Sequence, residues 1–278
     1  MANNGESTNV ELVIANALKI PGVKVNRKEF LVKVFGDKVS SDKIPLLIEK
    51  GPLEVGISTE QINRIAKSLV NKRTLQSSGT SFVAGIPGGL AMAATIPADT
   101  LQFFGVALRL SQELAYIFGY KDFWDDEELD LDRVRSELIL FLGVMFGVGG
   151  AASTLKVVSS KIAQQTLKKL PQKALTKTFY YPIIKKIAAL IGVKMTKDTF
   201  AKGVSKVIPV VGGVVSGGLT YTSMTKMGNR LRNTMCDTLN YSPQEFQKDM
   251  DEIKRKMPDI IDVEFEEIEK HLVNGQDR

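Results

Sequence analysis

Residues 74–118 read TLQSSGTSFVAGIPGGLAMAATIPADTLQFFGVALRLSQELAYIF, and the choice between a membrane span and a buried bundle turns on them. From Thr74 to Ala98 there is no charged residue, a run long enough to cross a bilayer as one helix. Pro87-Gly88-Gly89 breaks that run. Pro97 suits the first turn of a new helix, where its missing N–H costs nothing. The expectation is therefore a broken apolar element feeding a helix from Pro97 to Phe118, stopped by Gly119. Asp99 falls in its first turn, where the helix dipole favours an anion. A polar stripe, Asp99, Gln102, Arg109, Gln112, Glu113 and Tyr116, runs along one side of an otherwise apolar helix.

Two more glycine-rich apolar segments, 138–155 and 207–225, belong with 74–98. In all three the spacing Gly-x-x-x-Gly recurs, as Gly85 with Gly89, Gly143 with Gly147, and Gly213 with Gly217. Two glycines one turn apart clear a strip of a helix and let another backbone approach. Tight packing in a bundle, contact with lipid and plain helix ends all remain open. The second segment predicts a helix from Val134 to about Val148, ended by Gly147-Val148-Gly149-Gly150. The third starts the longest predicted helix, continuing to about Leu239.

Elsewhere the pattern is that of short amphipathic helices with recognisable starts. Val10, Val13, Ile14, Ala17 and Leu18 recur at helical spacing before Pro21-Gly22. Asn26 with Glu29, Ser58 with Gln61, and Ser242-Pro243-Gln244-Glu245 are helix-capping arrangements. The fold class that follows is all-α, an irregular multi-helix bundle with glycine-rich apolar central helices. Residues 1–73 form N-terminal helices packed on a main domain over 74–240, and 241–278 form a charged helical tail.

Charge is segregated. Between Lys156 and Lys206 there are twelve lysines, no arginine and one acid, Asp198. Lys161, Lys168, Lys169, Lys185 and Lys186 are the candidates for contact with an anionic surface, each worth up to about 1 kcal/mol near headgroups. Without arginines the block does not suit nucleic acid, which calls for bidentate contacts. A solvated helix face is the other account of these lysines. Mean hydropathy is −0.02 and charged residues are 24% of the chain, values of a globular protein rather than a set of membrane spans. A single cysteine, Cys236, and a polar start without a secretory pattern place the chain in the cytoplasm or on the cytoplasmic side of the membrane.

Catalytic signals are sparse. The one histidine is His271, no zinc set forms around Cys236, and phosphate-binding and nucleophile-elbow motifs are missing. No catalytic residue, metal or cofactor is expected, and a non-enzyme is favoured. Within the stripe, Asp99, Gln102, Arg109 and Glu113 are either a satisfied internal network or the place where a polar ligand or partner is held.

Ile96-Pro97-Ala98-Asp99, the helix ending Ala115-Tyr116-Ile117-Phe118-Gly119-Tyr120, and Ile208-Pro209-Val210-Val211-Gly212-Gly213 resemble the EcsC family over roughly residues 60–240. The resemblance implies a bacterial, helical, membrane-linked protein with a link to transport or envelope processes, and it carries no catalytic residues. Three functions stay open: a non-enzymatic membrane-associated protein, a soluble helical module binding a protein partner or lipid-like ligand, and a hydrolase or transferase using the Asp99, Arg109 and Glu113 stripe.

Overall fold

The computed structural model describes residues 4–77, 98–124, 131–159, 181–195 and 217–258. Among them are ten α-helices and no strand. We number them α1 (Asn4–Ala17), α2 (Arg27–Phe35), α3 (Ile44–Lys50), α4 (Thr59–Ser77), α5 (Ala98–Ile117), α6 (Leu131–Met145), α7 (Ala151–Ser159), α8 (Tyr181–Met195), α9 (Gly217–Asp237) and α10 (Pro243–Lys256). The protein is an all-α, irregular multi-helix bundle.

Two helices make its centre. From Leu101 of α5 to Phe118 just beyond it, every residue is buried except Gln102 and Arg109, and burial is continuous from Leu138 of α6 to Phe146 just beyond it. Helices buried around so much of their girth are covered on nearly all sides. α1, α2 and α4 lie against α5, while α7, α8 and α9 lie against α6; α9 also packs on α4 and α5. Rings join the two central helices: Phe104 stacks on Phe146 with centroids 5.7 Å apart, and Tyr120 meets Phe141 edge-on at 5.6 Å. Each fully buried Leu, Ile or Phe contributes about 1.5–3 kcal/mol, so this double seam is a large part of the cohesion.

One cluster of buried apolar side chains runs from Val10 of α1 to Met257 just beyond α10. The expected boundary at 73/74 falls inside α4, which continues to Ser77. Residues from the expected tail, Phe246, Met250 and Ile253 on α10, enter the same core against α7.

Local signals behave as their chemistry demands. Asn26 accepts a hydrogen bond from the Glu29 N–H at 2.9 Å and starts α2. Ser58 and Gln61 exchange hydrogen bonds at the start of α4, Ser58 N–H to Oε1 at 3.3 Å and Gln61 N–H to Oγ at 3.2 Å. Ser242 and Glu245 form a complete capping box on α10. The predicted helix over 97–118 is α5, and Gly119 ends it at φ +87° with the Tyr120 N–H donating to the Ala115 carbonyl and the Gly119 N–H to the Tyr116 carbonyl. This is the paired bonding of a left-handed glycine cap.

Two expectations need correction. The helix predicted to reach Val148 stops at Met145, because Gly147 adopts φ +65° and makes the same kind of cap, with Val148 N–H bonded to the Gly143 carbonyl. The helix predicted to reach Leu239 ends at Asp237, and Thr238–Asn240 tighten into a 3-10 turn. Of the three glycine-rich segments, 138–155 lies at the centre in α6 and the start of α7. Most of 74–98 and of 207–225 lies outside the described residues. No helix among the described residues is long and apolar enough to cross a membrane.

Candidate functional site

Three polar assemblies interrupt the apolar packing. The first is built on α5. Glu113 is fully buried and faces Arg73 of α4, which donates from Nε to Oε2 at 2.6 Å and from Nη2 to Oε1. Arg109, one turn earlier on α5, donates from Nε to Oε1 at 3.1 Å and from Nη1 to the carbonyl of Gly22. Gln112, also fully buried, accepts from the Val25 N–H at 3.1 Å and the Trp124 Nε1–H at 2.9 Å, and donates to the carbonyls of Val23 and Leu108. The chain between α1 and α2 has few partners within a helix, and α5 supplies them. Tyr116 completes the face, donating to the Val25 carbonyl at 3.2 Å and lying 3.2 Å from Asp122 Oδ1. Burial, and then the Asp122 charge, pushes its phenol far above the ordinary range.

This places the sequence-predicted stripe plainly. Arg109 and Glu113 come together as expected from their four-residue spacing. Gln102 is half-buried on the same helix and takes no part in the network described. The side chain of Asp99 lies outside the described residues. Both oxygens of Glu113 accept from guanidinium groups, so the buried carboxylate has its counter-ions inside the bundle.

The second assembly joins α7 to α10. Asp249 is buried and accepts from the Ser153 hydroxyl at 2.8 Å and the Tyr241 hydroxyl at 2.6 Å, with Lys156 Nζ at 2.7 Å. Burial, followed by the Asp249 contact, pushes the Tyr241 phenol strongly up. Nothing at the sequence level pointed to this cluster, because its members sit on elements almost a hundred residues apart.

The third is a groove of about 630 Å³ between the start of α2, α3 and the loop after α5. Arg27 forms its floor and is 6% exposed, donating from Nε to the Tyr120 carbonyl at 2.8 Å and from Nη1 to the Ile48 carbonyl. Burial lowers the basicity of this guanidinium, while Asp122 and Tyr116 hold it up. Lys28 and Lys121 stand on the rim, and Ile44, Pro45 and Ile48 of α3 make the wall. Arg27 and Arg73 are both residues the sequence left unremarked. A buried arginine cannot be told from a solvated one by spacing alone.

The glycine pairs separate on inspection. A side-chain carbon on Gly143 would sit 2.5 Å from Ile187 Cγ2 of α8, so α6 and α8 meet there at a distance only glycine permits. Gly147 is past the end of α6, and its carbon would meet the Arg230 guanidinium at 3.3 Å. The strip expected from Gly143 and Gly147 is therefore one close approach and one turn. Gly85, Gly89 and Gly213 lie outside the described residues, and Gly217 is the first residue of α9. Among the lysines, Lys161, Lys168 and Lys169 lie outside the described residues; Lys185 is exposed and Lys186 half-buried on α8, both engaged with neighbouring groups. Cys236 is half-buried on α9 and burial pushes its thiol up, the opposite of an activated nucleophile. His271 lies outside the described residues, and no group of metal-ligating side chains occurs among the described ones.

The class defined by these features is an all-α helical bundle. No family model, curated protein or solved structure matches the chain.

Proposed function

We propose that this chain is a non-enzymatic helical protein that attaches peripherally to an anionic membrane surface on the cytoplasmic side. The observation that carries this is a charge imbalance on a well-packed unit: residues 19–73 hold twelve Lys or Arg and six Asp or Glu. Most of those cations are on the surface of α2, α3, α4 and their connections, whereas Arg27 and Arg73 are drawn inward. Lysines near an anionic leaflet contribute about 1 kcal/mol each, falling off within a Debye length. The lysine block from 156 to 206 adds charge of the same sign. A peripheral mode suits a bundle in which no described helix is long and apolar enough to cross. The likeness of Ile96-Pro97-Ala98-Asp99 and Ile208-Pro209 to the EcsC family favours a membrane link as well.

Sedimentation with vesicles tests it. The full chain is expected to pellet with phosphatidylcholine–phosphatidylglycerol vesicles at low salt, to be released by high salt, and to ignore phosphatidylcholine alone. Recovery in the supernatant at low salt with the anionic vesicles overturns the proposal. A protein partner in place of lipid would leave that same result.

A further inference from the structure

The helix α3 hides little of itself. Of its seven residues only Leu47 is buried; Pro45 and Leu46 are exposed, Leu46 at 38%, and Ile44 and Ile48 are half-buried. Pro45 and Leu46 leave adjacent apolar surface uncovered on this helix. Beside it lies the groove floored by Arg27, where cations outnumber carboxylates. Asp122 offsets the Arg27 charge and Glu49 pairs with Lys50 at 2.9 Å, which leaves the two lysines of the groove over. Among the described residues, neither Lys28 nor Lys121 pairs with a carboxylate. Arg27 and Lys28 are also the first two residues of α2, so the positive end of its dipole faces the same place.

Building on the peripheral attachment proposed above, we infer that this groove is the lipid-contact site: an anionic phospholipid headgroup seats between Arg27, Lys28 and Lys121, with Pro45 and Leu46 in the interfacial layer beside it. Charge alone would suit free phosphate equally. The uncovered apolar residues of α3 choose the lipid, because a hydrated inorganic ion has nothing to offer Pro45 or Leu46. Arg27 is held in advance by the Ile48 and Tyr120 carbonyls, so little side-chain entropy is lost when a phosphate meets it. The same Ile48 carbonyl belongs to α3, which ties the headgroup-binding guanidinium to the helix that touches the interface.

The test compares two pairs of lysines in the full chain. Lys28→Gln with Lys121→Gln removes charge at the groove; Lys67→Gln with Lys72→Gln removes the same charge from exposed positions on α4 that do not line it. All four positions are exposed, and equal melting temperatures confirm that each variant folds. On phosphatidylcholine–phosphatidylglycerol vesicles the groove pair is expected to weaken binding on the order of twentyfold, about fivefold per lysine. The α4 pair is expected to weaken it by a much smaller factor. Leu46→Ser, which alters no charge, is expected to weaken it several-fold and to leave the salt dependence unchanged. Equal losses for the two lysine pairs mean diffuse attraction and overturn the site, while peripheral attachment stands. Failure of the unaltered chain to bind overturns both. Thermal stabilisation by inorganic phosphate without vesicle binding overturns the lipid as occupant.

Discussion

Arg73 closes on Glu113 as a fork, Nε to Oε2 at 2.6 Å and Nη2 to Oε1, across forty residues of sequence. The carboxylate is fully buried and the guanidinium is 22% exposed, so the pair works in a poorly solvated place. It ties α4 to α5. Arg109 adds a third hydrogen bond and links both to the turn at Gly22. Removing one member leaves charge stranded, at about 3–5 kcal/mol. Glu113→Ala is therefore expected to lower stability to urea by roughly that amount, and Arg109→Ala by less, since the Arg73 fork survives. A Glu113→Ala midpoint close to that of the unaltered protein would show that the network is dispensable.

Gly143 and Gly147 look alike in sequence and are expected to fail differently. Gly143→Ala places a carbon against Ile187 Cγ2 and 3.2 Å from Ala151 Cβ, an overpacking that costs about 1–3 kcal/mol. Ile187→Ala in the same chain should recover part of this loss. Gly147→Ala instead puts an L side chain at φ +65°, about 1 kcal/mol or more, and Ile187→Ala should leave that loss untouched. The double-mutant cycles decide, with coupling at Gly143 and none at Gly147.

The start of α10 carries an acid-sensitive cap. The Ser242 N–H and hydroxyl hold the Glu245 carboxyl below its ordinary value of 4.5. A carboxyl lowered on folding contributes stability that is present above pH 4.5 and lost as pH falls through the lowered value. Glu245→Gln is expected to lower the melting temperature at neutral pH and to flatten its acid limb between those two values. Parallel acid limbs in the two proteins would remove Glu245 from the account.

Tyr116, Tyr120 and Tyr241 are all pushed above the ordinary phenol value of 10.0, by burial in each case. A phenol raised on folding is favoured neutral in the native state, so stability falls as pH rises past 10. In ultraviolet titration near pH 10, Tyr116→Phe, Tyr120→Phe and Tyr241→Phe should each leave the native curve unchanged and remove one ionising group only in denaturant. A smaller native amplitude in any of the three would show that phenol to be open to solvent.

The parts of the fold that were legible share one property, which is short range. Ser58 with Gln61, Ser242 with Glu245, and Gly119 after an apolar helix act within one turn, so residue type and spacing suffice. Arg109 with Glu113 was legible for the same reason. Arg73, Asp249, Tyr241 and Ser153 were not. Their partners are brought to them by helix packing, and an arginine or a serine bears no local mark of the carboxylate it will meet. The groove at Arg27 was equally hidden, since its three cations come from α2 and from a loop more than ninety residues later.

By itself the sequence determined that apolar helices lie close to residues 97–118 and 134–148, that glycine ends each of them, and that lysine outweighs acid over long stretches. Those are consequences of backbone geometry, dipoles and composition, which neighbours in the chain decide. Only tertiary structure determined what covers those helices, which polar groups are consumed inside, and which cations are left facing an uncovered apolar helix. Burial and ion pairing depend on distances between residues far apart in the chain, and those distances exist only once the helices have packed.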